Sequence, residues 1–359
     1  MITDEIREKI NRGEIYEEEL RILIYSFAQT ISRTARKLFK RKEIEDDAFI
    51  DYFKVETIRS FMGMIPAFFY LYLDLDEKLK EILDLKVLKT ITDYAEYHKK
   101  RKNLSYHIDR MIFRNLKVKE GEIYVLDTFI VPVDLNKRRN GKKILQGTFD
   151  AEFVFDSLKG TTVGYIVTVL INLSNLSLVD VKIFSKKTSK VKIWDEMVIK
   201  NLGTLNGKIK AVIADAGFSC YKVYEMSMSY RIVPIVKPKN NLKKLERIIK
   251  AMPVNFDWLN SRYSSVFDDL VKDLNEIIKM TLQSISNYED FAEMRAEIEI
   301  LFKATKALFG LKDLHIYYRD LAIPRITMCL YAGSLFMQFC MENGLKADVI
   351  IEHLRRRRL

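Results

Sequence analysis

The sequence predicts a mixed α/β protein: a sheet of about five strands covered by helices, preceded by an all-helical N-terminal region. Three observations carry that class. Residues 1–115 interleave charges with aliphatic residues at helical spacing and contain few turn signals. From residue 116 the chain turns to runs of β-branched and aromatic residues punctuated by turn residues. From about residue 190 such runs alternate with helical stretches, which adds a parallel part to an antiparallel meander. Of 359 residues, 48% are hydrophobic and only 13 are Gly and 6 Pro, so a sizeable core can form and no long disordered segment is expected.

Taken in order, residues 18–39 have helical periodicity, and Thr30 could open a basic helix. A helix-turn-helix would then carry Arg33, Arg36, Lys37, Lys40 and Arg41 near DNA; a helical bundle with a solvated basic face is the alternative. Residues 98–102 continue the basic theme as a linker or a phosphate-contacting patch. Residues 122–133 read as a strand interrupted by Asp127, and Asn140-Gly141 in a basic stretch is a hairpin signal. Residues 149–155 and 161–173 read as strands joined at Lys159-Gly160, with 178–184 a fourth strand or a short extension. Residues 191–201 form a helix, 208–214 a buried strand that runs into Asp215-Ala216-Gly217-Phe218, 220–229 a helix and 231–236 a strand. The expected domains are 1–115 (helical, with the basic face that could meet DNA), 116–241 with 288–345 (the sheet and its helices), 242–287 (a mostly helical insertion) and 346–359 (a basic tail).

A formal net charge of +11 points to an acidic partner, most simply nucleic acid. Three cysteines (Cys220, Cys329, Cys340) without CxxC spacing support neither a disulfide framework nor a zinc site, and the four histidines are scattered. No signal-peptide pattern opens the chain, and the apolar runs at 61–73 and 326–341 are too short to cross a bilayer. The expected setting is reducing and cytoplasmic.

Residues 291–306 read as an amphipathic helix, with Ile298, Leu301 and Leu308 on its apolar side. A neighbouring stripe carries Arg295, Glu299, Phe302 and Lys306. Alone, that stripe is a solvated face with an Arg–Glu pair. Upstream, however, Asp127 breaks an apolar strand and Asp215 ends another, a usual place for ligand-binding groups. Three carboxylates gathered by a sheet and a helix repel one another unless divalent cations intervene. Oxygen ligands without Cys or His favour Mg²⁺ or Mn²⁺, and two such ions suit displacement at a phosphodiester. Taken singly, Asp127 could be a turn or bulge residue and Asp215 a helix N-cap.

The ordered set Asp127-Thr128-Phe129, Asp215-Ala216-Gly217-Phe218 and Arg295-(3)-Glu299-(6)-Lys306 resembles the DDE transposases of prokaryotic insertion sequences. The specific group is the one with the Y-(2)-R-(3)-E-(6)-K signature. Ala292 occupies the tyrosine position, with Phe291 beside it. The likeness covers about residues 120–340. It implies a ribonuclease H-like fold with Asp127 on the first strand, Asp215 just after the fourth and Glu299 on the later helix. It further implies metal-dependent cleavage at transposon ends and strand transfer into target DNA, by a homodimer on double-stranded DNA at the nucleoid.

On that likeness Asp127, Asp215 and Glu299 are the metal ligands, and Arg295 and Lys306 hold phosphates. Glu289, Glu293 and Glu297 compete for the third place, but only Glu299 has both basic neighbours at the signature spacing. Lys237, Lys239 and Asn240 are expected backbone contacts. Trp258 either stacks on a flipped base or is core. The rival readings are a stand-alone ribonuclease H-like nuclease and a non-catalytic DNA-binding protein derived from a transposase.

Overall fold

The computed structural model describes residues 2–40, 46–99, 122–133, 150–156, 160–203, 209–237, 266–311, 314 and 318–357. In chain order these form α1 (Asp4–Asn11), α2 (Glu17–Lys40), α3 (Asp47–Met62), α4 (Pro66–Leu75), α5 (Glu77–Leu83) and α6 (Ile91–Lys99). The strands β1 (Ile123–Pro132), β2 (Glu152–Asp156), β3 (Gly160–Asn172) and β4 (Ser177–Phe184) follow. Next comes α7 (Lys190–Trp194), prolonged by a π-helical turn Asp195–Ile199 and a last turn Lys200–Leu202. Then come β5 (Lys210–Ala214), α8 (Tyr221–Ser229), β6 (Ile232–Val236), α9 (Val266–Ser286), α10 (Tyr288–Met294), α11 (Ala296–Leu308), α12 (Arg319–Glu342) and α13 (Ala347–Arg357). The class is α/β with a mixed sheet and helices.

Two compact units divide the chain: Met1–Asn115 with Val131–Tyr165 and Ile298–Leu359, and Leu116–Ile130 with Ile166–Glu297. In the first, helix starts are set by side-chain caps: Thr3, Asp46 and Asp76 accept from the backbone N–H of Ile6, Phe49 and Leu79. Helix α2 runs unbroken through Thr30, whose hydroxyl donates 3.2 Å back to the Ser26 carbonyl. The helix start expected there is therefore corrected. No Gly or Pro interrupts the turn, and a Thr hydroxyl satisfied four residues back is no cap. Arg33, Arg36 and Lys37 stay exposed on this helix. The Lys40 side chain and Arg41 lie outside the described residues.

Phe27 centres the core of this unit, with its ring against Phe61, Phe309, Phe336 and Phe339. Aromatic groups of this size dominate core energetics. Helix α13 buries Ile350, Ile351 and Leu354, so Arg355, Arg356 and Arg357 form the last turn of a packed helix. A cationic last turn complements the helix dipole.

In the second unit the strand order is β4-β3-β1-β5-β6. The β1–β5 and β5–β6 pairs are parallel, whereas β3–β4 is antiparallel with a bulge at Leu170/Ile171. All five residues of β6 are buried, as expected of a parallel strand covered on both faces, and α8 and α9 pack on it. Strand β2 pairs with the opening residues of β3 in the first unit, which makes six strands among the described residues where about five were expected. Residues 177–184 are thus a full strand, not an extension. Strand β2 lies beside β3; Asn140 and Gly141, where a hairpin is expected, are outside the described residues. Gly160 adopts φ +74° where β3 starts, a conformation that glycine reaches without a side-chain clash.

Candidate active site

Parallel pairing of β1 and β5 matches Leu126 with Ala214. One residue further along each chain stand Asp127 and Asp215. Neighbouring strands lie about 4.8 Å apart and matched residues face the same side, so the register sets the two carboxylates next to each other. Asp215 stands at the carboxyl end of β5, a usual place for ligand-binding groups in α/β sheets, and Asp127 lies within β1 beside it. Asp215 follows the fifth strand of the chain and not the fourth, because β2 intervenes.

Asp127 is half-buried, with 15% of its side chain exposed. Its Oδ1 accepts from the Thr128 N–H at 2.8 Å, and its Oδ2 accepts from Arg295 Nη2 at 3.3 Å. Burial pushes its carboxyl above the ordinary range; Arg295 and the Thr128 N–H oppose that, and the charge of Asp215 adds to it. The mutual repulsion registers that the two aspartates share one field. Asp215 caps the 3₁₀ turn Ala216–Phe218, its Oδ1 accepting from the Gly217 N–H at 2.6 Å. A Cβ on Gly217 would come within 2.7 Å of that Oδ1, so only glycine leaves the carboxylate its room. The N-cap alternative for Asp215 is therefore literally true, and it holds one oxygen only.

The helix expected over residues 291–306 is broken at Arg295, a turn between α10 and α11. That break corrects the continuous stripe. Arg295 bonds Asp127 in place of Glu299, Phe302 is buried, and Met294 on the supposed apolar side is 38% exposed. Burial works against the Arg295 charge, but Asp127 and a hydrogen bond with Tyr288 hold it on, raising its pKa. Arg295 Nε is buried without a partner among the described residues. The Tyr288 hydroxyl also lies 3.5 Å from the carbonyl of Ala214, directly before Asp215. Sequence reading passed over Tyr288. The signal was its place seven residues, two helical turns, before Arg295.

Glu299 is exposed on α11 and belongs to the first unit, as does exposed Lys306. Among the described residues no group of three or more His, Cys, Asp or Glu is close enough to hold a metal ion. The structure thus brings Asp127, Asp215 and Arg295 together within the second unit. Lys237 is exposed directly after β6, whereas Lys239, Asn240 and Trp258 lie outside the described residues. Cys220, Cys329 and Cys340 are free thiols. No helix among the described residues is long and apolar enough to cross a membrane.

Residues 119–332 match a protein family described as "Transposase DDE domain", which spans more than half of the chain and both aspartates. The chain belongs to the DDE transposase family. It is a DNA transposase, an enzyme that cuts and joins DNA strands, and DDE transposases work with divalent metal ions. No curated protein matches the sequence. Among solved structures the transposase is similar to the piggyBac transposase in its synaptic complex with hairpin DNA, at 8% identity and a TM-score of 0.42. That similarity covers 94% of this chain and 79% of the other.

The residues present suit a divalent ion of the hard type. The donors are adjacent carboxylate oxygens, and the burden of charge on Asp127 is only partly relieved by Arg295.

Proposed function

We propose that Asp127 and Asp215, completed by Glu299, hold two Mg²⁺ or Mn²⁺ ions at which the transposase cleaves transposon ends and transfers the strands to target DNA. The observation that carries this reading is the register of β1 and β5, which sets Asp127 beside Asp215. When bound, the ions would activate water or a 3′-hydroxyl and steady the leaving oxygen. The chain's own contribution is positional: the Gly217 N–H orients Asp215, the Thr128 N–H orients Asp127, and Tyr288 braces Arg295. On arrival of DNA, Arg295 turns its fork from Asp127 to a phosphate, with Lys306, Lys237, Lys239, Asn240 and Trp258 as further DNA contacts. The strand order around β1 supports a ribonuclease H-like core.

The spacing Arg295-(3)-Glu299-(6)-Lys306 supports membership of the Y-(2)-R-(3)-E-(6)-K group of prokaryotic insertion sequences. In that reading the helices of residues 1–115 bind DNA, residues 116–241 and 288–345 are catalytic, and 242–287 are an insertion. Two copies act together because two ends are joined, at the nucleoid. The test is Mg²⁺-dependent cleavage of the DNA that flanks the coding region. D127A, D215A and E299Q should each fall to background while still binding that DNA. Full activity in E299Q would move the third ligand to Glu297, and full activity in D127A would end the reading.

A further inference from the structure

Beside the carboxylate pair stands a cation that the proposed site has not yet used. The Nζ of Lys190 lies 4.5 Å from the centroid of the Phe218 ring, in the same Asp215-Ala216-Gly217-Phe218 turn that orients the carboxylate. Its stem runs past Gly217: the spot where a Cβ on Gly217 would stand is 3.2 Å from Lys190 Cε and 2.7 Å from Asp215 Oδ1. The lysine and the aspartate therefore flank one point, on the chain's own second unit.

Unlike Lys182, Lys200 and Lys222 in the same unit, Lys190 pairs with no acid among the described residues. Lys182 pairs with Asp180 and Glu196, Lys200 with Glu196, and Lys222 with Glu225. Among the described residues Lys190 makes no ion pair; its partner is the face of a phenyl ring. A ring face attracts the ammonium and fixes its place, but accepts no conventional hydrogen bond, so the N–H donors of the ammonium stay available. Exposed Lys187 and Lys192 flank it in the segment Ser185-Lys-Lys-Thr-Ser-Lys-Val-Lys192, which leads from the end of β4 into α7. A positive charge held still, donors free, next to a pair of carboxylates reserved for metal, has the chemistry of a phosphate contact.

We infer that Lys190 binds a backbone phosphate of the DNA strand lying at Asp215, with Lys187 and Lys192 extending the track along the same strand. This rests on the Asp127–Asp215 pair being the cleavage site.

The experiment measures binding of a labelled duplex, taken from the DNA flanking the coding region, across a salt series, together with Mg²⁺-dependent cleavage of the same duplex. K190M keeps a stem of similar length and loses the charge. Removing one phosphate contact lowers the slope of log affinity against log salt by about 0.9. That drop is expected in K190M, with several-fold weaker binding at low salt, an unchanged melting temperature, and recovery of the slope in K190R. Should K190M prove unstable, K190Q carries the same comparison. A lysine that only packs on Phe218 would shift the melting temperature and leave the slope alone. A wild-type slope in K190M and K190Q, or no recovery in K190R, overturns the inference. D127A separates it from the reading beneath: D127A without cleavage and K190M with a normal slope removes Lys190 alone, whereas D127A that still cleaves removes both.

Discussion

Glu56 in the first unit and Asp127 in the second each sit against arginine, and their surroundings differ in what they leave over. Glu56 is buried and saturated. Arg59 donates through Nε at 2.6 Å and Nη2 at 2.5 Å, Arg325 through Nη1 at 2.5 Å, and the Tyr94 hydroxyl bonds the same carboxylate. Burial works to raise its pKa, but Arg325 and Arg59 carry it down to about 2. Asp127 has one guanidinium at 3.3 Å, too little to offset its burial, which with a small addition from neighbouring Asp215 pushes its pKa up. A carboxylate that holds a fold is supplied with more positive charge than it needs. One left short, as Asp127 is, has room for a cation from outside, which is what the proposed metal site requires.

That contrast can be broken most forcefully at Glu56. E56Q leaves the half-buried guanidinium groups of Arg59 and Arg325 without their buried counter-ion, and losing one partner of such a network costs about 3–5 kcal/mol. Chemical denaturation should read that loss; a change near zero would mean that the network is ornamental. Next in size is the turn beside Asp215. G217A forces the carboxylate or the backbone to move, and displacements on the order of an ångström at a reacting centre cost up to ~100-fold in rate. Cleavage by G217A should fall by about tenfold to a hundredfold with DNA affinity kept; wild-type cleavage would show that the close approach to Asp215 Oδ1 is dispensable.

The smaller effects are in pH and metal dependence, and their signs oppose each other. Glu56 has a folded pKa below its unfolded value, so its contribution is present above about 4.5 and is lost as pH falls towards about 2. The deficit of E56Q should therefore shrink on acidification through that window. Asp127 has a raised folded pKa, so its ionised form weighs against folding once pH climbs past its unfolded value. D127N should then melt slightly above wild type at neutral pH, with the gap closing in acid; a lower melting temperature for D127N at neutral pH would reverse the sign. Adding Mg²⁺ should raise the melting temperature of wild type by preferential binding to the folded state and leave D127N unmoved. An equal shift in both would detach Asp127 from the metal.

The sequence carried the parts of this picture that depend on local pattern. Asp127 inside an apolar strand and Asp215 at the end of another were readable from polarity alone, and parallel pairing then made them neighbours. Pairing partners are not local, so the parallel match of β1 with β5, about 90 residues apart in the chain, has no signature in either strand alone. The break at Arg295 was hidden because no Gly or Pro marks it. At that break Arg295 bonds Asp127, a tertiary contact with no sequence signature. Lys190 was equally invisible, since a lysine in a basic segment reads as solvated until Phe218 is placed beneath it.

Whether the three acidic residues share an ion can be asked of the polypeptide itself. Fe²⁺ substituted for Mg²⁺ in the DNA-bound transposase, with peroxide and ascorbate, generates radicals that cut the backbone beside the residues holding the metal. The account predicts cuts near 127, 215 and 299, all suppressed by excess Mg²⁺. Cuts near 127 and 215 without one near 299, or a pattern that Mg²⁺ leaves unchanged, would contradict it.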